Sequence, residues 1–232
     1  MLFIHEIHDV RGAGEDAFEA AIRDEWMPSL ANGDDARLLW YFHHAHGSGP
    51  AYHVVTITAV KDGAAYERLA RRLKSGDLQP FAARLDDLRH RVDAKVLVPV
   101  HWSPVQEFDF AAVPVDGAEH ELAIYMEDTG WPHAALDDYI DFWGTSYYAP
   151  MKARGSGLLD IQITFQPLWG AGRRKEAILL QKVMDHDMLR DLLTHDTPAA
   201  YKQPGMFMHD ALAYRDRWES KLLRTSAWSP LF

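Results

Sequence analysis

The chain carries one short signature twice. His101-Trp102-Ser103-Pro104 closes a strand-like run, and Ala227-Trp228-Ser229-Pro230 closes another 126 residues later. The same offset relates Asp93-Ala94-Lys95-Val96-Leu97 to Glu219-Ser220-Lys221-Leu222-Leu223. Nearer the N-terminus the landmarks drift but persist: Trp26-Met27-Pro28 answers Tyr148-Ala149-Pro150, Leu38-Leu39 answers Leu158-Leu159, and Val60-Lys61-Asp62 answers Val183-Met184-Asp185. One repetition at this period means one supersecondary unit used twice, each copy burying a face that it cannot bury alone. The 232 residues suffice for two such units, placed at about 1–110 and 111–232. The Pro- and Gly-bearing stretch from Val105 to Glu119 reads as the linker.

Within each copy the periodicity changes in the same order. Leu2 to Val10 alternates as a strand. Phe18, Ile22 and Trp26 lie four apart, which predicts a helix from Glu15 to Met27, ended by Pro28 and the Asn32–Asp35 cluster. Strands follow at Leu38 to His46 and Tyr52 to Val60 around Gly47-Ser48-Gly49-Pro50. Helical patterns span Ala64 to Leu73 and Phe81 to Val92, and a strand runs from Val96 to His101. The second copy gives a strand at Leu122 to Asp128, a helix from Leu136 to Tyr148, and strands at Leu158 to Gln166 and Ala177 to Val183 around Gly170-Ala171-Gly172. Helices at Asp187 to Leu193 and about Asp210 to Lys221 precede a last strand.

A β-α-β-β-α-β unit is ferredoxin-like, with helices on one sheet face only. The other face of each sheet needs a cover, and in a tandem chain the natural cover is the other sheet. The expected fold is therefore α+β, with two antiparallel sheets packed face to face as one intramolecular barrel around a pocket. Three stretches carry a resemblance to a known family: the opening Glu6-Ile7-His8-Asp9-Val10, Trp26-Met27-Pro28 at the end of the first helix, and the terminal Trp228-Ser229-Pro230-Leu231. In these the chain resembles the NIPSNAP-like group of the dimeric α+β barrel superfamily. That superfamily includes cofactor-free oxygenases, isomerases and lyases as well as haem enzymes, so the resemblance implies a fold more firmly than a chemistry. His8 stands where the group usually has arginine.

Composition narrows the function. A net charge of −10 disfavours nucleic acid and anionic membrane surfaces. With no cysteine, thiolate ligands and thiol nucleophiles are excluded. No apolar run approaches the roughly 20 residues that span a bilayer, and the Met1-Leu2-Phe3-Ile4 opening shows no secretory signal, so a cytoplasmic protein is expected. No nucleophile elbow and no phosphate-cradling glycine loop is present. Arg71-Arg72, Arg173-Arg174-Lys175 and Arg215 to Arg217 read as solvated faces.

Strand alternation then selects candidates. Taking Ile161, Ile163 and Phe165 as helix-facing sends Asp160, Gln162, Thr164 and Gln166 into the barrel. In the first copy it sends Trp40, Phe42, His44 and His46 inward, with Thr56 and Thr58 on the next strand. His5, Tyr125 and Glu127 complete the pocket. His5, His44, Tyr125, Glu127 and Asp160 are the expected acid–base residues, and Trp40, Phe42, His46, Thr56, Gln162 and Thr164 the substrate contacts. His44-X-His46 would also suit a metal if His5, His101 or Asp160 supplied a third ligand. The preferred reading has no metal and no cofactor. It is a cofactor-independent lyase, isomerase or monooxygenase acting on a hydrophobic, aromatic or terpenoid-like small molecule. The alternative is a non-catalytic binding or structural protein. A homodimer through edge strands and outer helices is a further expectation.

Overall fold

The computed structural model describes residues 1–155, 157–170, 172–173 and 175–232. Ala171 of the glycine turn and Arg174 of the basic run lie outside them. Eight strands form the fold: β1 (Leu2–Val10), β2 (Ala36–His44), β3 (His53–Val60), β4 (Arg89–Pro99), β5 (Ile124–Trp131), β6 (Leu159–Gly170), β7 (Ala177–Val183) and β8 (Arg217–Thr225). The helices are α1 (Glu15–Ala21), α2 (Met27–Ala31), α3 (Gly63–Ser75), α4 (Gln79–Leu88), α5 (Leu136–Trp143), α6 (Ala149–Arg154), α7 (His186–Thr194) and α8 (Phe207–Asp210). One π-helical turn, Ile22–Trp26, joins α1 to α2, and another, Gly144–Tyr148, joins α5 to α6.

The strands close into one barrel in the order β1-β3-β2-β8-β5-β7-β6-β4, every pair antiparallel. Read round the ring from β4, the first half contributes β4-β1-β3-β2 and the second β8-β5-β7-β6, so both halves have the same internal order. The halves meet at two seams. At one, β2 pairs with β8 through Phe42, His43 and His44; at the other, β4 pairs with β6 from Lys95 to Pro99. Among the described strands each has a neighbour on both sides, so no edge is left.

Of the four register shifts in the described strand pairs, two bear on the barrel interior. In β2 the register shifts between Leu38 and Trp40, and in β6 between Ile161 and Ile163. Each inserts a residue and turns consecutive side chains to one face. Leu39 and Trp40 both enter the barrel core, with Leu38 outside; Ile163 enters it while Ile161 stays outside. Strict alternation through Ile161 therefore misplaces the later residues of β6. Ile163, Phe165, Val55, Ile57, Ile178 and Leu180 fill the interior, and Leu179 packs under the helices. The interior is well packed, with Phe3 and Phe165 in contact at 5.0 Å and Phe42 and Tyr125 at 4.9 Å.

Sequence and structure part elsewhere too. β4 begins at Arg89, earlier than the Val96 expected, and takes over the last turn of the expected helix. Residues expected to be helical up to Lys221 instead enter β8 at Arg217, because pairing along β5 from Ile124 to Trp131 outweighs local helical preference. The Val105–Glu119 stretch is no slack linker. Phe108 leaves the surface and packs edge-on to Phe3 and Trp40.

The repeated Trp-Ser-Pro corners lock the halves together reciprocally. Ser103 Oγ accepts the backbone N–H of Thr164, and Ser229 Oγ accepts that of Tyr41, each at 3.0 Å. Val100 and Ser226 in turn donate to the carbonyls of those same two residues. The tryptophans seat the corners: Trp102 donates to the Ile140 carbonyl, and Trp228 donates to Glu19. Gly144 has to be glycine, since a Cβ would come within 2.7 Å of the Trp102 ring.

Candidate functional site

The corners also wall a cavity. Past Ser103 and Ser229 the chain turns over one mouth of the barrel, and Val105, Phe108, Pro230, Leu231 and Phe232 form the cover of a space of about 290 Å³. Its floor is Trp40, Tyr125 and Gln162. The cover is held in place: Leu231 donates its N–H to the Leu39 carbonyl, and Phe232 is stacked on His120 at 3.6 Å with Lys182 over its ring. Three of the expected pocket residues thus meet at one cavity, apolar for the most part and with few polar groups, which is the usual make-up of a small-molecule site.

The polar groups on this floor are donors. Burial pushes the Tyr125 hydroxyl up to about 12, with the Asp160 carboxylate adding to the effect, so it keeps its proton at neutral pH. The buried Trp40 indole N–H is directed at the Tyr125 hydroxyl and works against that rise. The Gln162 side-chain amide donates to Asp160 at 2.8 Å, and that exposed carboxylate stands at the rim. The β6 bulge is what turns Gln162 toward this mouth beside Ile163.

A second group of polar side chains lies deeper. Tyr125 and Glu127 face the same way on β5, roughly 7 Å apart along the strand at about 3.4 Å per residue. Glu127 is buried, with His5 Nε2 at 2.7 Å from one oxygen and Lys221 Nζ at 3.4 Å from the other. Those two partners hold its carboxyl below the usual range although burial alone would raise it. Lys95, opposite His5 in the β1–β4 register, pairs with buried Glu176 at 2.6 Å. Trp131 donates to the other Glu176 oxygen. His5 and Glu127 were expected together and are together. They do not line the mouth cavity, since aromatic packing lies between.

The remaining candidates lie elsewhere. His44 is beside Lys221 and His53; burial first, then the Lys221 ammonium, lower it to about 4, so it is a neutral imidazole. β2 ends at His44, and His46 lies beyond the strand in the following turn, so the two share no strand face. Among the described residues no group of three His, Asp or Glu side chains could hold a metal. Phe42 sits behind Tyr125 in the packed core. Thr56 is on the outer face, bonded to His8 at 3.0 Å and to Glu6. Thr164 is also outside, opposite Leu179. Both corrections follow from the bulges and from the inward set of β3 and β7. Asp160 is at the rim and not inside the barrel. Lys221, Lys95 and Glu176 were not anticipated as site residues. The signal for the two lysines was present, since each directly precedes an apolar run at the same repeat position.

The architecture defines a class: a closed eight-stranded antiparallel α+β barrel of the dimeric α+β barrel type, both halves supplied by one chain. Comparison with solved structures agrees. A protein from Lactobacillus acidophilus NCFM, provisionally named a monooxygenase, matches with a TM-score of 0.59 at 6% identity, over 99% of this chain and 97% of its own. An anthrone oxidase-like protein matches with a TM-score of 0.57 at 9% identity, over 97% of this chain and 91% of its own. An uncharacterized NIPSNAP domain protein from Burkholderia xenovorans is 22% identical with a TM-score of 0.39, and covers 45% of this chain with 100% of its own. No protein-family model and no curated protein matches the chain. The two full-length likenesses establish the fold. No described helix is long and apolar enough to cross a membrane.

Proposed function

We propose that the chain binds a small aromatic molecule in the Trp40–Tyr125–Gln162 cavity and acts on it as a cofactor-independent enzyme of monooxygenase type. The observation that carries the reading is a mouth cavity whose wall is aromatic and aliphatic and whose floor holds a buried tyrosine with the Trp40 indole N–H beside its hydroxyl. Such a floor suits a flat substrate with one oxygen that becomes negative. Asp160 at the rim takes a proton from an activated C–H. Tyr125, still protonated, and Trp40 donate to the resulting enolate oxygen. The electron-rich ring system then reacts with dioxygen. A CH2 group and O2 give a carbonyl and water, with one oxygen atom going to each. The His5–Glu127 pair, one strand step deeper, is a second proton-holding group for this chemistry. The names of the barrel-spanning neighbours, a monooxygenase and an anthrone oxidase-like protein, support the same choice over a lyase or isomerase.

The test uses the full chain with anthrone as probe. Expected are quenching of tryptophan fluorescence on binding and oxygen uptake matched by quinone formation. Tyr125→Phe is expected to lower kcat by about 100-fold or more, the usual loss for an oxyanion donor, with a small change in KM. Absence of binding across anthrone and simple naphthols would sink the reading. A non-catalytic binder remains the second reading, favoured by one fact: among the described residues, Tyr125 is the only titratable side chain on the cavity wall. In that case the probe binds, Tyr125→Phe weakens it, and no oxygen is consumed.

A further inference from the structure

We propose that Glu127 and Lys221 hold His5 as the neutral tautomer protonated on Nε2, with Nδ1 left as a bare base inside the barrel, and that Lys221 is the residue that positions this state. The geometry leaves little choice. Nε2 of His5 is 2.7 Å from Glu127 Oε2, in a place where neither group reaches solvent. Nδ1 is equally buried and has no partner among the described residues.

Each neighbouring strand presents a group to His5 or to its carboxylate. β3 presents Ile57, opposite it in register. β4 presents Lys95, itself bonded to Glu176 from the start of β7. β5 presents Glu127, and β8 presents Lys221 against the second Glu127 oxygen. On β1, Glu6 and His8 point to the outer face, where Arg89 donates to His8. Inside, two carboxylates therefore balance two ammonium groups, with neutral His44 of β2 beside Lys221 and the exposed Glu219 carboxylate 3.9 Å from Lys221 Nζ at the solvent side. A cationic His5 would add an unmatched buried charge and a buried Nδ1–H with no acceptor. A neutral His5 with its proton on Nδ1 would set a bare Nε2 against an ionised carboxylate, two acceptors in contact. Only the Nε2–H form donates to Glu127 and keeps the layer neutral.

Beside the hydrogen bond from His5, Lys221 supplies the fixed positive charge that keeps Glu127 ionised. Among the described residues its ammonium is the only other donor to that carboxylate, and without it a buried carboxyl recovers its proton. Glu127 would then be the donor, and His5 Nε2 the acceptor. The proton on the imidazole would then sit on Nδ1, and Nδ1 would cease to be the free base. The tautomer follows from the interior geometry alone; its use in turnover rests on the function proposed above.

The experiment is long-range 15N–1H correlation of the histidine rings in the uniformly labelled full chain at pH 7, with the His5 signals assigned by their loss in His5→Gln. The expected pattern is a protonated Nε2 and a bare Nδ1. An imidazolium pattern, or a proton on Nδ1, overturns the proposal without need of any further variant. Lys221→Met, similar in length but without charge, is expected to reverse or broaden the Nε2–H pattern; an unchanged pattern in folded Lys221→Met removes Lys221 from the role. Parallel oxygen uptake with anthrone separates the two proposals. The His5 pattern with no turnover by the wild type leaves the tautomer standing and the enzyme reading refuted. With turnover, Lys221→Met is expected to lower kcat at least tenfold at unchanged KM and to alter the kcat–pH profile, whereas mere loss of packing would leave that profile in place.

Discussion

Single side chains in the barrel carry unequal consequences because some are charged where water cannot reach. Removing Glu127 would leave Lys221 buried without its main partner, so Glu127→Ala is expected to cost about 3–5 kcal/mol in urea unfolding. The exposed pair of Glu67 and Arg71 on α3 is screened by solvent, and Glu67→Ala should leave the midpoint in place. Asp128 gives the opposite sign. Burial raises it to about 6, although Ser220, Arg215 and Gln181 work against the rise. The folded chain thus holds a proton that the unfolded chain has released between its ordinary carboxyl value of 3.8 and about 6. Stability from this residue falls as pH rises through that window. Asp128→Asn is expected to be the more stable protein at pH 7, by roughly 3 kcal/mol for two pKa units, with the gain fading toward pH 4. His44 acts in the same window with reversed sign, being lowered to about 4 and losing stability as pH falls below 6.5. The informative quantity is therefore the difference between Asp128→Asn and wild type across pH, and a difference that is flat from pH 4 to 7 refutes the assignment.

At the scale of strands and turns, the two serines of the repeated corners are the sharpest case. Ser103→Ala and Ser229→Ala each strip a buried backbone N–H of its acceptor, at Thr164 and Tyr41. Each is expected to cost about 1–3 kcal/mol. With no partner in common the two losses should add in the double variant, and thermal unfolding of the three proteins checks this. These corners were readable because a short polar motif recurred at a fixed offset. The strands β1 and β7 were readable end to end because each is a short apolar-rich run bounded by polar or turn-forming residues. The bulges were not. Leu39 and Gln162 carry no glycine or proline to mark an inserted residue, and one insertion reverses the face of everything after it. That effect put Thr164 in the pocket and Ile163 and Phe165 out of it, and Thr56 followed because β3 was assigned the face given to β7, whose Ile178 and Leu180 pair with Phe165 and Ile163. β8 was read partly as helix because Arg217 to Lys221 is charged and mixed. Its strand character comes from β5 beside it, which local sequence does not contain. The site was half legible for the same reason. His5, Glu127, Trp40 and Tyr125 sit on strands whose faces were inferred correctly and Gln162 lies before the β6 face reverses, while the cover from Phe108 and Phe232 depends on two turns over the barrel mouth.

For the whole molecule, the closed ring makes each half depend on the other. Expressed alone, residues 1–110 would expose the free edges of β2 and β4, and residues 111–232 those of β6 and β8. Each piece is expected to aggregate or self-associate, and the two mixed are expected to restore the native near-ultraviolet dichroism; a stable monomeric half by light scattering refutes this. The seams also differ in length. The β2–β8 seam has three paired positions and β4–β6 has five, so amide exchange is expected to be faster at His43 and Arg224 than at Val98 and Gln166. The short seam has a consequence for how the chain is made. Tyr41 emerges from the ribosome early, and the Ser229 that it needs follows 188 residues later. At about 5–20 residues per second that is a wait of roughly 10–40 s, during which β2 presents an unpaired, apolar edge to everything in the cell. A nascent chain of this kind is a natural client for chaperones that cover strands, and slowing its synthesis late in the message would lengthen the exposure of its first half.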